Sequence, residues 1–209
     1  MTDAIEPSQI RAYLGEEAAS NLHNYFHGSG TKLFTGSSFE RFAGGGDRPE
    51  VANHFTAEDI VAVSMLSVDI PGRASLEILD FRAGELNELL AGIPTGLDLW
   101  DDEAEKAIAE GSSSRVLWDE LMEIEQVGWV TAGKLLARKR PRLIPVYDTV
   151  LKQAFTLPRG TSWWTALRDV LRTDPSLVSD AIALRSAAGL DDTISVLRII
   201  DVVVWMKNR

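Results

Sequence analysis

Apolar residues recur at helical spacing along most of the chain, and nowhere do they alternate strictly over a long run. In residues 8–27, Leu14, Ala18, Leu22, Tyr25 and Phe26 share one face, which predicts a helix broken near Gly15. Thr56 precedes Glu58, Asp59 and the apolar set Ile60, Val61, Val63, Met65, Leu66 and Val68. That reads as a capped, buried helix ended by Pro71 and Gly72. Residues 75–91 admit strand or helix at first and are helical from 85 onwards. Ser112 to Ser114 offer a cap for a helix over 115–124. Further helices are expected over 162–172, over 175–188 with Asp174 as cap, and over 193–206 with Asp191 or Asp192 as cap. In the last of these, Ile194, Leu197, Ile200 and Val204 face the core. The sum is an all-α chain of roughly ten helices, with no internal repeat.

Between the first helix and Thr56 the pattern fails. Residues 28–50 carry Gly36, Gly44, Gly45 and Gly46 among the aromatics Phe34, Phe39 and Phe42. No Gly-Lys-Ser/Thr follows these glycines, so this is no phosphate loop. A long irregular segment in a compact domain is either functional or a packed connection. The chain is expected to form one unit over 1–209, with an N-terminal helix and irregular segment over 1–55 and a helical core over 56–209.

Composition changes this picture little and charge changes it more. The 209 residues are 45% hydrophobic and 25% charged, enough to bury a sizeable core. No cysteine is present, which excludes disulfides, thiol nucleophiles and cysteine-held zinc or iron–sulfur clusters. The apolar run at 199–206 is interrupted by Asp201 and is too short for a bilayer, and the start of the chain lacks an apolar signal region. A cytoplasmic protein without a membrane partner is expected. His23 and His27 stand one turn apart, the spacing of paired metal ligands, but no third ligand lies close in sequence. Asp98, Asp101, Asp102 and Glu103 stand where helix-start acids are expected. Neither set predicts a metal, and no cofactor is expected. Net charge is −10, from 21 cations and 31 acids, which argues against nucleic acid unless a local patch offsets it.

Such a patch exists in residues 121–151. A helix leads to a tight turn at 126–128 and a second helix, followed by Lys134, Arg138, Lys139, Arg140 and Arg142, then Pro145 and Asp148. Two readings stand side by side. The cations complement a helix C-terminus and Asp148 merely caps the next helix, or they contact phosphates and Asp148 is chemically active.

Ile124, Val127, Gly128, Thr131, Ala132, Leu135 and Leu136 are placed as in the helix-hairpin-helix of the DNA glycosylase superfamily, which this stretch resembles. Pro145, Val146, Tyr147, Asp148 and Thr149 resemble that family's extended turn and Asp-opened helix, at 148 − 130 = 18 residues from Val130. The chain also resembles an uncharacterised bacterial family of glycosylase-like proteins that shares the Phe34-Thr35-Gly36 and Phe39-Glu40 segments. The resemblance implies a two-lobed helical bundle with its hairpin at 115–139, acting on double-stranded DNA in base excision repair. It implies phosphate contacts from Val127, Gly128, Thr131, Lys134, Arg138, Lys139, Arg140 and Arg142. Asp148 would be the catalytic carboxylate of a monofunctional N-glycosylase for a modified or mismatched base, with Trp129 and Tyr147 stacking on base or sugar. Val130 stands where bifunctional members carry a Schiff-base lysine, so no lyase activity is expected. Gln126 stands where the first hairpin glycine is usual, and a positive φ there costs about 1 kcal/mol. The other reading is a non-catalytic module, binding nucleic acid or protein, that kept the scaffold.

Overall fold

The computed structural model describes residues 5–28, 33–157 and 159–209; the part of the irregular segment at 29–32 lies outside them. Twelve α-helices and no strand occur among the described residues. The chain divides into two compact units: Met1–Ser37 with Pro145–Arg209, and Ser38–Ile144. This division falls elsewhere than the expected boundary at 55 and 56.

The first unit contains α1 (Pro7–Arg11) and α2 (Ala18–His27), then α9 (Thr149–Ala154), α10 (Trp163–Thr173), α11 (Ser176–Ala187) and α12 (Val196–Asn208). The break between α1 and α2 spans Gly15, as the pattern predicts. Helix α12 is its centre: all of 196–204 is buried, and it packs on α2, α9 and α11. Its cap is Ser195, whose Oγ accepts from the Arg198 N–H at 3.1 Å. Asp191, one of the expected caps, instead closes a local turn onto the Thr193 N–H. Arg198 and Asp201 form a buried ion pair, and Arg198 also donates to the Tyr25 hydroxyl and to the Gly36 carbonyl at 3.0 Å. That guanidinium fixes the Phe34-Thr35-Gly36 segment. His23 and His27 are both exposed on α2, with ring centroids 4.7 Å apart.

The second unit contains α3 (Ala57–Ser64), α4 (Gly72–Leu76), α5 (Ala83–Ala91), α6 (Ala104–Ile108), α7 (Ser113–Met122) and α8 (Trp129–Lys139). Thr56 caps α3 in a reciprocal box with Asp59. The helix stops at Ser64, ahead of Pro71, because the chain turns over through Ser67 at φ 61°. Pro71 then starts α4. Only Asp59, Ala62 and Val63 of α3 are buried and Val61 is exposed, so the expectation of a helix buried on most sides is corrected. The ambiguous stretch after Ser75 is a π-helical turn, Glu77–Phe81, closed by the Arg82 N–H on the Glu77 carbonyl at 2.9 Å. Helix α8 packs on α3 and α7 and is buried from Thr131 to Lys139.

Candidate nucleic-acid interface

The hairpin is built as the spacing predicts. Helix α7 ends at Met122, Ile124 and Val127 turn into the core, and the Val127 N–H closes on the Ile124 carbonyl at 2.9 Å. Gln126 takes φ 69°, the left-handed conformation that strains any residue with a Cβ. Gly128, by contrast, is extended at φ −88°, so no positive φ requires glycine there. It caps α8, and a Cβ added to it would meet nothing within 4 Å. No side chain caps α8, so its first-turn N–H groups receive none of the help that Ser112 gives α7. Trp129 and Val130 are half-buried, and Thr131 is buried. Around the turn, Glu123, Glu125 and Gln126 are exposed.

The cations do not form a patch. Lys134, Arg138, Lys139 and Arg140 are all buried, Lys139 completely. Each donates to acceptors inside the unit. Lys134 Nζ donates to the Leu66 carbonyl at 2.7 Å, just past the end of α3. Arg138 donates to the carbonyls of Phe39, Glu40 and Phe42, and its Nε lies 3.2 Å from Asp59 Oδ1. Lys139 Nζ donates to Asp59 Oδ2 at 2.9 Å. Arg140 donates to the carbonyls of Leu90, Ile93, Ala52 and Lys139 and to Asn53 Oδ1. Leu90 lies in the last turn of α5, so Arg140 serves as a C-terminal cap as well as a staple for the loop. Arg142 lies outside the core and makes a two-pronged contact with Asp98, at 2.8 and 2.5 Å.

Burial lowers the pKa of Arg138 and Lys139, with Asp59 acting in the opposite direction. It pushes Arg140 down to about 10, still a cation at neutral pH. The physical account is direct. Residues 38–55 form turns and short 3-10 pieces whose carbonyls have few partners of their own, and forked guanidinium donors can satisfy several at once. Gly46 makes room for this: a Cβ there would stand 2.6 Å from the Arg138 carbonyl oxygen and 2.7 Å from its Nε.

Asp148 belongs to the other unit and is half-buried. Its Oδ1 caps α9, accepting from the N–H groups of Val150 and Leu151 at 2.9 and 3.1 Å. Its Oδ2 makes no hydrogen bond to a described residue. Tyr147, beside it, stacks on Trp163 at 5.1 Å between centroids, and burial raises its pKa. Trp163 in turn stacks on Phe155, and its indole N–H is buried without a partner among the described residues.

The family model that matches covers residues 18–208 and is described as a family of unknown function, DUF6308. The chain belongs to that family. No curated protein and no solved structure matches it. The match takes in both the hairpin and the two segments held by Arg138 and Arg198.

Proposed function

We propose that this chain is a protein-recognition module built on a helix-hairpin-helix scaffold. The observation that carries the reading is the inward placement of Lys134, Arg138, Lys139 and Arg140. Of the 11 cations in the second unit those four are buried, and of its 20 acids Asp59 is buried. Outside the interior that leaves 7 − 19 = −12, against 7 − 9 = −2 for the described residues of the first unit. A duplex approaching the hairpin would meet Glu123 and Glu125 rather than a cationic rail. Fluorescence anisotropy with a labelled duplex carrying an abasic-site mimic, over a salt series, tests the reading. The expected result is no salt-dependent binding. Binding that weakens steeply with salt overturns it.

One observation favours a second reading as a DNA N-glycosylase: the uncommitted Oδ2 of Asp148. A carboxylate oxygen can orient water beside a sugar. Release of a base from uracil-, alkyl- or oxidised-base duplexes by the native chain, lost in Asp148→Asn, would establish it.

A further inference from the structure

We infer that the second unit recognises a basic, amphipathic protein segment on a surface formed by Leu76, Phe81 and Met122 with the carboxylates around them. The inference rests on the protein-recognition reading above and names its partner. Leu76 is 49% exposed, Phe81 56% and Met122 38%, which makes them three of the few large apolar side chains left in water. In an α-helix, residues five apart point away from each other; the π-helical turn after Leu76 widens the coil and brings Phe81 round towards its side. Arg82, the next residue, donates to the Glu120 carbonyl at 3.1 Å and to the Glu120 carboxylate at 2.5 Å. That bond pins the Phe81 turn beside the last turn of α7, where Met122 emerges. Arg73 lies over the Phe81 ring at 5.4 Å, so this ring already receives a guanidinium on its face.

Charge decides among the occupants. Asp80 precedes Phe81, Asp119 stands one turn before Met122 on α7, and Glu123 and Glu125 follow it; all four are exposed, on a unit with −12 outside its interior. A nucleic acid or an anionic membrane would be repelled, and a second copy would set like charge against like. A helix with lysines or arginines flanking an apolar stripe satisfies both features at once. The apolar stripe covers Phe81 and Met122 while the cations meet the carboxylate rim.

The test uses the full chain and a fluorescein-labelled amphipathic helical peptide of leucine and lysine, read by anisotropy over a salt series. Its scrambled-order isomer and a leucine–glutamate counterpart are the comparison peptides. Phe81→Ser with Met122→Ser should weaken binding about tenfold. Asp119→Asn with Glu123→Gln and Glu125→Gln should weaken it about fivefold and flatten its salt dependence. Glu50→Gln with Glu110→Gln, elsewhere on the unit, should change it less than about twofold. All substituted positions are exposed, and thermal melts by circular dichroism confirm that each variant folds. Equal binding of the scrambled peptide, no loss in the apolar pair, or an equal loss in the control pair overturns the inference. Self-association that the apolar pair abolishes overturns it too. No peptide binding with no duplex binding sinks this inference alone; duplex binding through this face sinks the protein-recognition reading with it.

Discussion

Replacing Asp59 by asparagine keeps the shape of the side chain and removes the carboxylate buried between Arg138 and Lys139. Its side chain is 1% exposed. Oδ1 accepts from Arg138, and Oδ2 accepts from Lys139 at 2.9 Å and from the Thr56 N–H at 3.0 Å. Leaving buried cations without their counter-charge costs roughly 3–5 kcal/mol. An asparagine can retain part of the capping contribution, itself about 1 kcal/mol. With an urea m-value of about 2 kcal/mol/M, the unfolding midpoint of Asp59→Asn should fall by roughly 1.5–2.5 M. Lys139→Met is the informative partner, because it removes a cation whose burial already lowers its pKa and leaves Asp59 paired with Arg138. It should cost about 1 kcal/mol or less. Its pH signature has a definite sign. The unfolded chain holds the Lys139 proton more tightly than the folded one, so this site makes stability rise with pH between its lowered folded value and the ordinary lysine value near 10.5. Lys139→Met abolishes that rise. A midpoint shift below about 0.5 M for Asp59→Asn, or a cost for Lys139→Met equal to it, would refute the reasoning.

Gln126→Gly should stabilise the chain by about 0.5–1 kcal/mol, since it removes left-handed strain at φ 69° against a smaller loss from chain entropy. Gly128→Ala, at φ −88° with open space before its Cβ, should shift the urea midpoint by less than a quarter of the shift in Asp59→Asn. Gly46→Ala should destabilise by about 2 kcal/mol in the same assay, because its Cβ would collide with both backbone and side chain of Arg138. Tyr147 should ionise later than a free tyrosine, seen as a late step in 295 nm absorbance that Tyr147→Phe removes. Its raised pKa means that its contribution is full below pH about 10 and is lost as pH rises through the folded value.

Three helix starts were legible because a side chain answers the first-turn N–H groups: Thr56, Ser112 and Asp148 cap as their positions imply, while Ser162, read as the first helical residue, is the cap of its helix. The hairpin was legible because Ile124, Val127, Ala132, Leu135 and Leu136 mark one buried seam, and Gln126 adopts the positive φ that its place in the turn demands. The direction of the cations was not. A run of lysine and arginine after a helix reads as a solvated end unless something inside needs its donors. What needs them lies about 40–100 residues away: Asp59, and the carbonyls of Phe39, Glu40, Phe42, Ala52 and Leu90. One signal was present, a long glycine-rich segment with aromatics and no helical periodicity of its own to pair its backbone. The cap of α12 was misplaced because Asp191 is the stronger local turn former, which left Ser195 to open the helix.

The inward placement of the cations is the claim on which both proposals stand, and lysine reactivity measures it directly. Brief acetylation of the native protein, followed by mass spectrometry of its peptides, should modify Lys106, Lys152 and Lys207, which are exposed. Lys134 and Lys139 should stay unmodified until the chain is unfolded in denaturant. Labelling of Lys139 as fast as Lys106 in the native protein would place the run at the surface and contradict the account.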